Sequence, residues 1–297
     1  TRDNKNIVID RHNRYKFQSN NMPAMDYEPL AFEIDGIQID LPDQEKVTNI
    51  YEKYCEQFKK QDFPLYIGQV NLNDPKFQIQ RMVQAYPECA IFLINELNCD
   101  ITRLKDKTYL PINYSIYYHN PITHGKEKVV YSAIVVKDFL TKYIKQKEMP
   151  GPFTTIYLAY NNFRCCITSF YRINDNSIKK GLMNIQNVKA QYIEWFQRLK
   201  TLTEKVELGI IGGDLNANYA RPRDGEKSFV DQIKNVFKSY SNVVKGKTHF
   251  RKGSQPSAID IMLVKNFSDY LVLNDNCKTT IKNDGHNFIR LKTNTKY

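Results

Sequence analysis

The sequence has no apolar run approaching the roughly 20 residues that a membrane-spanning helix requires. Its first stretch, TRDNKNIVIDRHNRYKF, carries charge without the hydrophobic segment of a secretory signal. Neither a membrane-embedded nor an exported chain is expected. Cysteine is scarce and unpatterned: Cys55, Cys89, Cys99, Cys165, Cys166 and Cys277 form no CxxC pair and no zinc spacing. Cys165 and Cys166 are adjacent, so on a strand they face opposite ways, which suits reduced core thiols in an intracellular, reducing compartment. No internal repeat is visible. Acidic residues are in deficit, 32 Asp and Glu against 43 Lys and Arg, which leaves a formal net charge of +11. A surface that basic favours a polyanionic partner, either nucleic acid or an anionic membrane surface. The abundance of Lys, Asn and Tyr is also what AT-rich coding produces, so charge alone does not settle the partner.

What is present begins with size. The chain has 297 residues, 41% of them hydrophobic, enough for a sizeable core in one large domain or two ordinary ones. Residues 1 to about 30 are polar and aperiodic, an arm of the kind that a protein partner or assembly contact holds. AFEIDGIQIDL alternates around Asp35-Gly36 and predicts a two-residue hairpin. In the next stretch Val47, Ile50, Tyr51, Tyr54 and Phe58 recur at helical spacing. Arm, hairpin and amphipathic helix make residues 1–62 an N-terminal extension, and residues 63–297 the main domain.

From residue 64 the rhythm changes. Buried strands are predicted at PLYIGQV, CAIFLI, VYSAIVV, FTTIYLAY, RCCITSFY, VELGII, AIDIMLV and NFIRLK, with a hairpin-like connection at Asn161-Asn162. Helices are predicted at NDPKFQIQRMVQAY, with Asp74 as N-cap and Pro75 in the first turn, at about Ile185 to Leu202, and at FVDQIKNVF. Strands predominate and helices intervene, which is an α/β (α+β) layered domain rather than a bundle or an all-β barrel.

The stretch LGIIGGDLNANYARPRDG runs an apolar strand into two glycines, then an acid and an amide at Asp214 and Asn216. Similar polar residues sit just past other apolar strands: Asn71, Glu96, Tyr171, Asp260 and His286. Singly, each has an ordinary explanation as a cap, a turn or a core residue. Their joint occurrence is the signal. Cleaving a phosphodiester needs an activated water, neutralisation of transition-state charge and help for the leaving oxygen. Mg²⁺ suits such a site because it takes few protein carboxylates and keeps waters and phosphate oxygens.

In this order the motifs resemble the endonuclease/exonuclease/phosphatase superfamily, the DNase I-like fold, and within it the endonuclease domain of non-LTR retrotransposons. The likeness covers about residues 64 to 295. IGQVNLND resembles the opening strand with its Asn, and IFLINEL the strand with the metal-binding Glu. ITSFYRIND resembles the YxP segment, with Arg172 and Ile173 departing from it. IIGGDLNA is close to GDFNA, KTHFRKGSQPSAIDIML resembles the Thr-Phe…Ser-x-Ile-Asp stretch, and NDGHNFI the terminal SDH motif.

The resemblance implies a four-layer sandwich of two packed β-sheets flanked by helices, and a Mg²⁺-dependent endonuclease nicking DNA, with Mn²⁺ as the alternative cation. It assigns Glu96, Asn71 and Asp284 to the metal. Asp214 would orient and deprotonate the water, and Asn216 would hold it or a phosphate oxygen. His286, oriented by Asp260, would hydrogen-bond the phosphate together with Tyr171. Arg172, Arg221 and Arg223 would contact the nucleic-acid backbone, DNA rather than RNA, and a retrotransposon-type enzyme would work in the nucleus. One departure matters: Gly285 stands where the motif has Asp, with Asp284 one place further back. The competing readings are a catalytically weakened copy serving as a nucleic-acid-binding or structural (including viral) module, and a relative acting on RNA or another phosphoester. The two glycines before Asp214 are expected to let a phosphate approach the backbone.

Overall fold

A computed structural model describes residues 31–34, 37–40, 65–72, 78–106, 109–124, 126–160, 163–174, 188–244, 246–250, 255–265, 271–278 and 286–293. The hairpin strands β1 (Ala31–Ile34) and β2 (Ile37–Asp40) pair antiparallel with Ile34 opposite Ile37, the register a two-residue connection requires. The expected arm, the helix around residues 47–58, and the Asp74 cap with Pro75 lie outside the described residues.

Two six-stranded sheets carry the fold. The first contains β3 (Tyr66–Asn71), β4 (Ile91–Asn95), β6 (Tyr114–Tyr118), β9 (Ala133–Lys137), β16 (Leu271–Lys278) and β17 (Asn287–Thr293), in the order β16-β17-β3-β4-β9-β6. The second contains β10 (Ile144–Lys147), β11 (Phe153–Tyr160), β12 (Phe163–Tyr171), β13 (Leu208–Asp214), β14 (Tyr240–Asn242) and β15 (Asp260–Lys265), in the order β10-β11-β12-β13-β15-β14. A small sheet of β5 (Cys99–Asp100), β7 (Ile122–His124) and β8 (Glu127–Val130) stands beside them.

The sheets pack face to face through Ile67, Leu93 and Ile134 of one and Ile156, Ile167, Ile210 and Met262 of the other. Period two sends the alternate residues outward. On the first sheet Val70, Phe92 and Ile94 meet helices α1 (Gln78–Ala85) and α2 (Ile101–Asp106) through Ile79, Met82 and Leu104. On the second, Phe170, Ile211 and Ile261 meet α3 (Val188–Thr203) and α4 (Asp224–Val236) through Tyr192, Phe196, Phe229 and Ile233. The architecture is therefore α/β/β/α, four layers, as expected. Central strands covered on both faces read as continuous apolar runs, and β4 and β13 are buried at every residue.

Some elements differ from the expected ones. VYSAIVV is broken at Tyr131-Ser132 into the end of β8 and the whole of β9. Helix α4 starts at Asp224, five residues before the apolar periodicity, where Asp224 and Glu226 favour a helix N-terminus electrostatically. Gly212 and Gly213 belong to β13 and are not a phosphate-facing turn. A Cβ on Gly212 would lie 2.5 Å from Gln69 Oε1 and 2.6 Å from Leu93 Cδ1 of the opposing sheet. A Cβ on Gly213 would strike the Phe170 carbonyl and ring. These glycines let the two sheets, and the neighbouring strand, come close. Cys165 and Cys166 are buried and unpaired as thiols, as their spacing suggested. Among the described residues no helix is long and apolar enough to cross a membrane.

Candidate active site

The site is built by strand register. β12 and β13 run parallel with Tyr171 opposite Asp214, and β15 runs antiparallel to β13 with Asp260 opposite Asp214. Tyr171, Asp214 and Asp260 thus form one rung at the end of the second sheet. Because Ile167 and Ile210 face the inter-sheet core, period two turns Tyr171 and Asp214 to that same face. On the first sheet Asn71 and Asn95 form the facing rung. Behind them the inter-sheet space is polar: Ser169 Oγ donates to the Ile94 carbonyl at 2.9 Å and to Asn95 Oδ1 at 3.0 Å. Gln69, with its amide turned, donates to the Ile261 carbonyl and accepts from Gly213 N–H. His286 stands immediately before β17, held through the β-bridge between His249 and His286.

Asn71 is the hinge of the constellation. Its Nδ2 lies 3.2 Å from Asp214 Oδ2 and 3.3 Å from His286 Nε2. His286 Nδ1 lies 2.9 Å from Asp260 Oδ2. Nδ1 donates to Asp260, which leaves Nε2 to accept when the ring is neutral and to donate when it is protonated. Tyr171 Oη donates to Glu96 Oε1 at 3.2 Å, and Asn216 N–H donates to Asp214 Oδ1 at 2.7 Å. Asn71, Asp214, Asp260 and His286 are buried, whereas Glu96 is half-exposed at the mouth.

The backbone is strained at the same place. Glu96, Asn98 and Asn216 take φ of 52°, 44° and 47°, in the left-handed region. Asn tolerates that conformation, but for Glu96 it costs about 1–3 kcal/mol, which the surroundings must offset.

Charge is concentrated here. Burial, then the Asp260 charge, push the Asp214 carboxyl up to about 8 against the opposing pull of His286. Burial lowers the His286 pKa, but the attraction of Asp260, Asp214 and Glu96 outweighs it and raises the value to about 9. Burial, then the carboxylates of Glu96 and Asp214, keep the Tyr171 hydroxyl protonated well above its ordinary range. A cation placed among these groups would draw Asp214 back toward its ionised form.

The donor set fits such a cation. Ligand atoms of Glu96, Asp214 and His286 all lie within 4.8 Å of one another. Asn71 Oδ1 is buried without a hydrogen-bond partner, an orphaned acceptor on the amide whose nitrogen meets Asp214. Oxygen donors in that number suit a hard divalent cation.

No family model matches the sequence, and no curated protein sequence matches it. Solved structures match the fold. The endonuclease domain of TRAS1, a telomere-specific non-LTR retrotransposon, has a TM-score of 0.59, covering 79% of this chain and 100% of that domain at 14% identity. AP endonuclease LMAP from Leishmania major has a TM-score of 0.58, covering 79% and 90% at 14% identity. The 3′ phosphatase NExo from Neisseria, bound to a product DNA hairpin, has a TM-score of 0.54, covering 77% and 99% at 11% identity. These likenesses show the fold, which is DNase I-like.

In this DNase I-like sandwich the site opens into a cleft of about 1140 Å³ at one end of the sheets. Glu96, Tyr171, Asp214, Asn216 and His286 line it; Asp260 supports His286 from behind. Arg221 and Arg223 stand exposed on one rim, ahead of α4. Asp284 and Gly285 lie outside the described residues.

Arg172 corrects the sequence reading. It is 2% exposed and turned inward, so it is not a surface contact for nucleic acid. Its Nη1 donates to the carbonyls of Leu215 at 3.4 Å and Asn216 at 3.2 Å, and its guanidinium stacks 4.9 Å from the Phe229 ring. His119 is buried. Its Nε2 accepts from Tyr131 N–H at 2.9 Å, and burial lowers its pKa to about 4 despite its bond to the Asn120 carbonyl.

Sequence reasoning missed several cleft residues. Tyr131 stacks on Tyr171 with ring centroids 6.0 Å apart, and His249 lies over His286 at 4.6 Å. Phe250 is 43% exposed on the cleft wall. The signal for Phe250 was an aromatic with no periodic partner in KTHFRKG.

Proposed function

We propose that the chain is a divalent-cation-dependent phosphodiesterase that cuts nucleic acid internally, DNA in preference to RNA. The observation that carries the reading is the convergence of Glu96, Asp214 and His286, with the Asn71 amide nitrogen against the last two and its oxygen buried without a partner. The cation would be Mg²⁺, with Mn²⁺ as the substitute, and Glu96, Asn71 and Asp284 are the residues that would hold it. When bound, it supplies charge neutralisation to the phosphate oxygens.

This chain's own groups do the rest. Asp214, held by Asn216 N–H and Asn71 Nδ2, orients a water and takes its proton. His286, fixed by Asp260, presents Nε2 toward the cleft and hydrogen-bonds the scissile phosphate. The protonated Tyr171 hydroxyl donates to the same group, and Asn216 steadies the water or a phosphate oxygen. Arg221 and Arg223 take flanking phosphates of the strand, and Phe250 offers an aromatic face to a base.

A polymer substrate is supported by the open cleft, the net charge of +11, and the DNA hairpin held by the Neisseria phosphatase of the same fold. DNA and a retrotransposon-type role together put the work in the nucleus. Gly285, where the terminal motif would carry Asp, favours a second reading, a binding module that has given up catalysis.

A substrate panel separates the two. The chain is incubated with supercoiled plasmid, single-stranded RNA and a nitrophenyl phosphate ester, in Mg²⁺, Mn²⁺ or EDTA. The proposal expects plasmid nicking that EDTA abolishes, slower RNA cleavage and an untouched small ester. Salt-sensitive DNA binding with no cleavage of any substrate would establish the second reading.

A further inference from the structure

Arg172 is among the largest fully buried side chains of the described residues, yet it carries a permanent charge. A guanidinium taken out of water must be repaid by acceptors. Among those this one finds are the main-chain carbonyls of Leu215 and Asn216, where β13 ends and the chain turns through the left-handed Asn216. The backbone of Arg172 reaches the same turn. Its N–H donates to the Asp214 carbonyl at 2.8 Å, and its carbonyl accepts from Asn216 Nδ2 at 2.6 Å.

One residue therefore clasps Asn216 at both ends, the side-chain amide through its carbonyl and the main-chain carbonyl through its guanidinium. Asn216 N–H in turn donates to Asp214 Oδ1 at 2.7 Å. The chain of contacts runs from Arg172 to the Asn216 backbone to the Asp214 carboxylate. Phe229 of α4 stacks on the guanidinium, which ties the turn to the helix that follows the Arg221–Arg223 rim.

We propose that Arg172 is a positioning residue: it locks the Asp214–Leu215–Asn216 turn so that the Asp214 carboxylate and the Asn216 amide are held toward the cleft. Its consequence for rate rests on the hydrolase reading; the locking itself does not. The Arg172 guanidinium acts through the backbone of the turn. A misplacement of about 1 Å in such groups is enough to cost on the order of 100-fold in rate.

The test compares wild type with Arg172→Met and Arg172→Lys by hydrogen exchange and by plasmid nicking in Mg²⁺. In Arg172→Met, exchange of the amides at 215–218 rises at least about tenfold, while β11 and α3 keep wild-type protection. Its kcat falls about 10- to 100-fold with KM within about threefold. Guanidinium ion at non-denaturing concentration restores part of that rate, and Arg172→Lys falls between the two. Unchanged exchange at 215–218 in a folded Arg172→Met chain would overturn the proposal. So would loosened exchange with kcat intact, or protection lost evenly across all elements. Should Arg172→Met fail to fold, the same two readouts on Arg172→Lys decide. A wild type that cleaves nothing would remove the hydrolase reading, and the exchange measurement would still judge the lock.

Discussion

His286 Nδ1 and Asp260 Oδ2 lie 2.9 Å apart, both buried, one immediately before β17 and the other at the start of β15 on the opposing sheet. The contact joins the two sheets across the site and fixes which ring nitrogen faces the cleft. It makes the imidazole a group that can donate to a phosphate or take up a proton, depending on its neighbours.

Asp260→Asn tests that orientation. The amide keeps the shape but can offer its NH₂ to Nδ1, which favours the other tautomer. The nicking rate should fall about 100-fold or more, with the denaturation midpoint moving little. A rate within about twofold of wild type would show that the pair is not used.

His119 predicts an acid limb of stability. In the unfolded chain its ring binds a proton near 6.5, and in the folded one only near 4, because burial excludes the charged form. Between those values the unfolded chain carries the extra proton, so stability rises with pH. The contribution is complete above about 6.5 and is lost as pH falls through about 4, at most about 3 kcal/mol. The difference in unfolding free energy between wild type and His119→Gln, followed by urea titration from pH 7 to 4, should change by that order. A pH-independent difference would contradict it.

Gly212 tests how closely the sheets approach. Gly212→Ala puts a methyl against Gln69 and Leu93 of the opposing sheet. The expected cost is about 1–3 kcal/mol, read as a lower denaturant midpoint. An unchanged midpoint would mean that the sheets have room to spare.

The central strands were legible because burial on both faces leaves continuous apolar runs, as at Ile91–Asn95. Less legible were the edges. Tyr114–Tyr118 mixes half-buried aromatics with Ser115 and shows no clean period, and β10 keeps only Ile144 partly buried while its other residues face solvent. The glycines before Asp214 looked like a turn because their use, an approach between sheets 143 residues apart in sequence at Asn71 and Asp214, is a tertiary fact. Among candidate site residues, Asp214, Asn216, Tyr171, Glu96 and Asn71 were marked by their places at or past the ends of apolar strands. Asp260 and His286, expected past strands too, stand at the beginning of β15 and just before β17; the structure brings all seven to one end of the sheets. What no local pattern could show is the rung Tyr171–Asp214–Asp260, which depends on a parallel register between β12 and β13. Arg172 was misread because charge is normally a surface sign, whereas here the carbonyls of Leu215 and Asn216 and the Phe229 ring help to make its burial tolerable.

The most direct measurement is nicking of supercoiled plasmid in Mg²⁺ by wild type, Asp214→Ala and His286→Ala, with EDTA as the control. Nicking by wild type that EDTA stops, reduced at least about 1,000-fold in each variant while both remain folded, is the predicted result. Wild-type nicking that survives in either folded variant, or no nicking by wild type alongside salt-sensitive DNA binding in all three, would contradict the assignment of this cleft as a hydrolytic site.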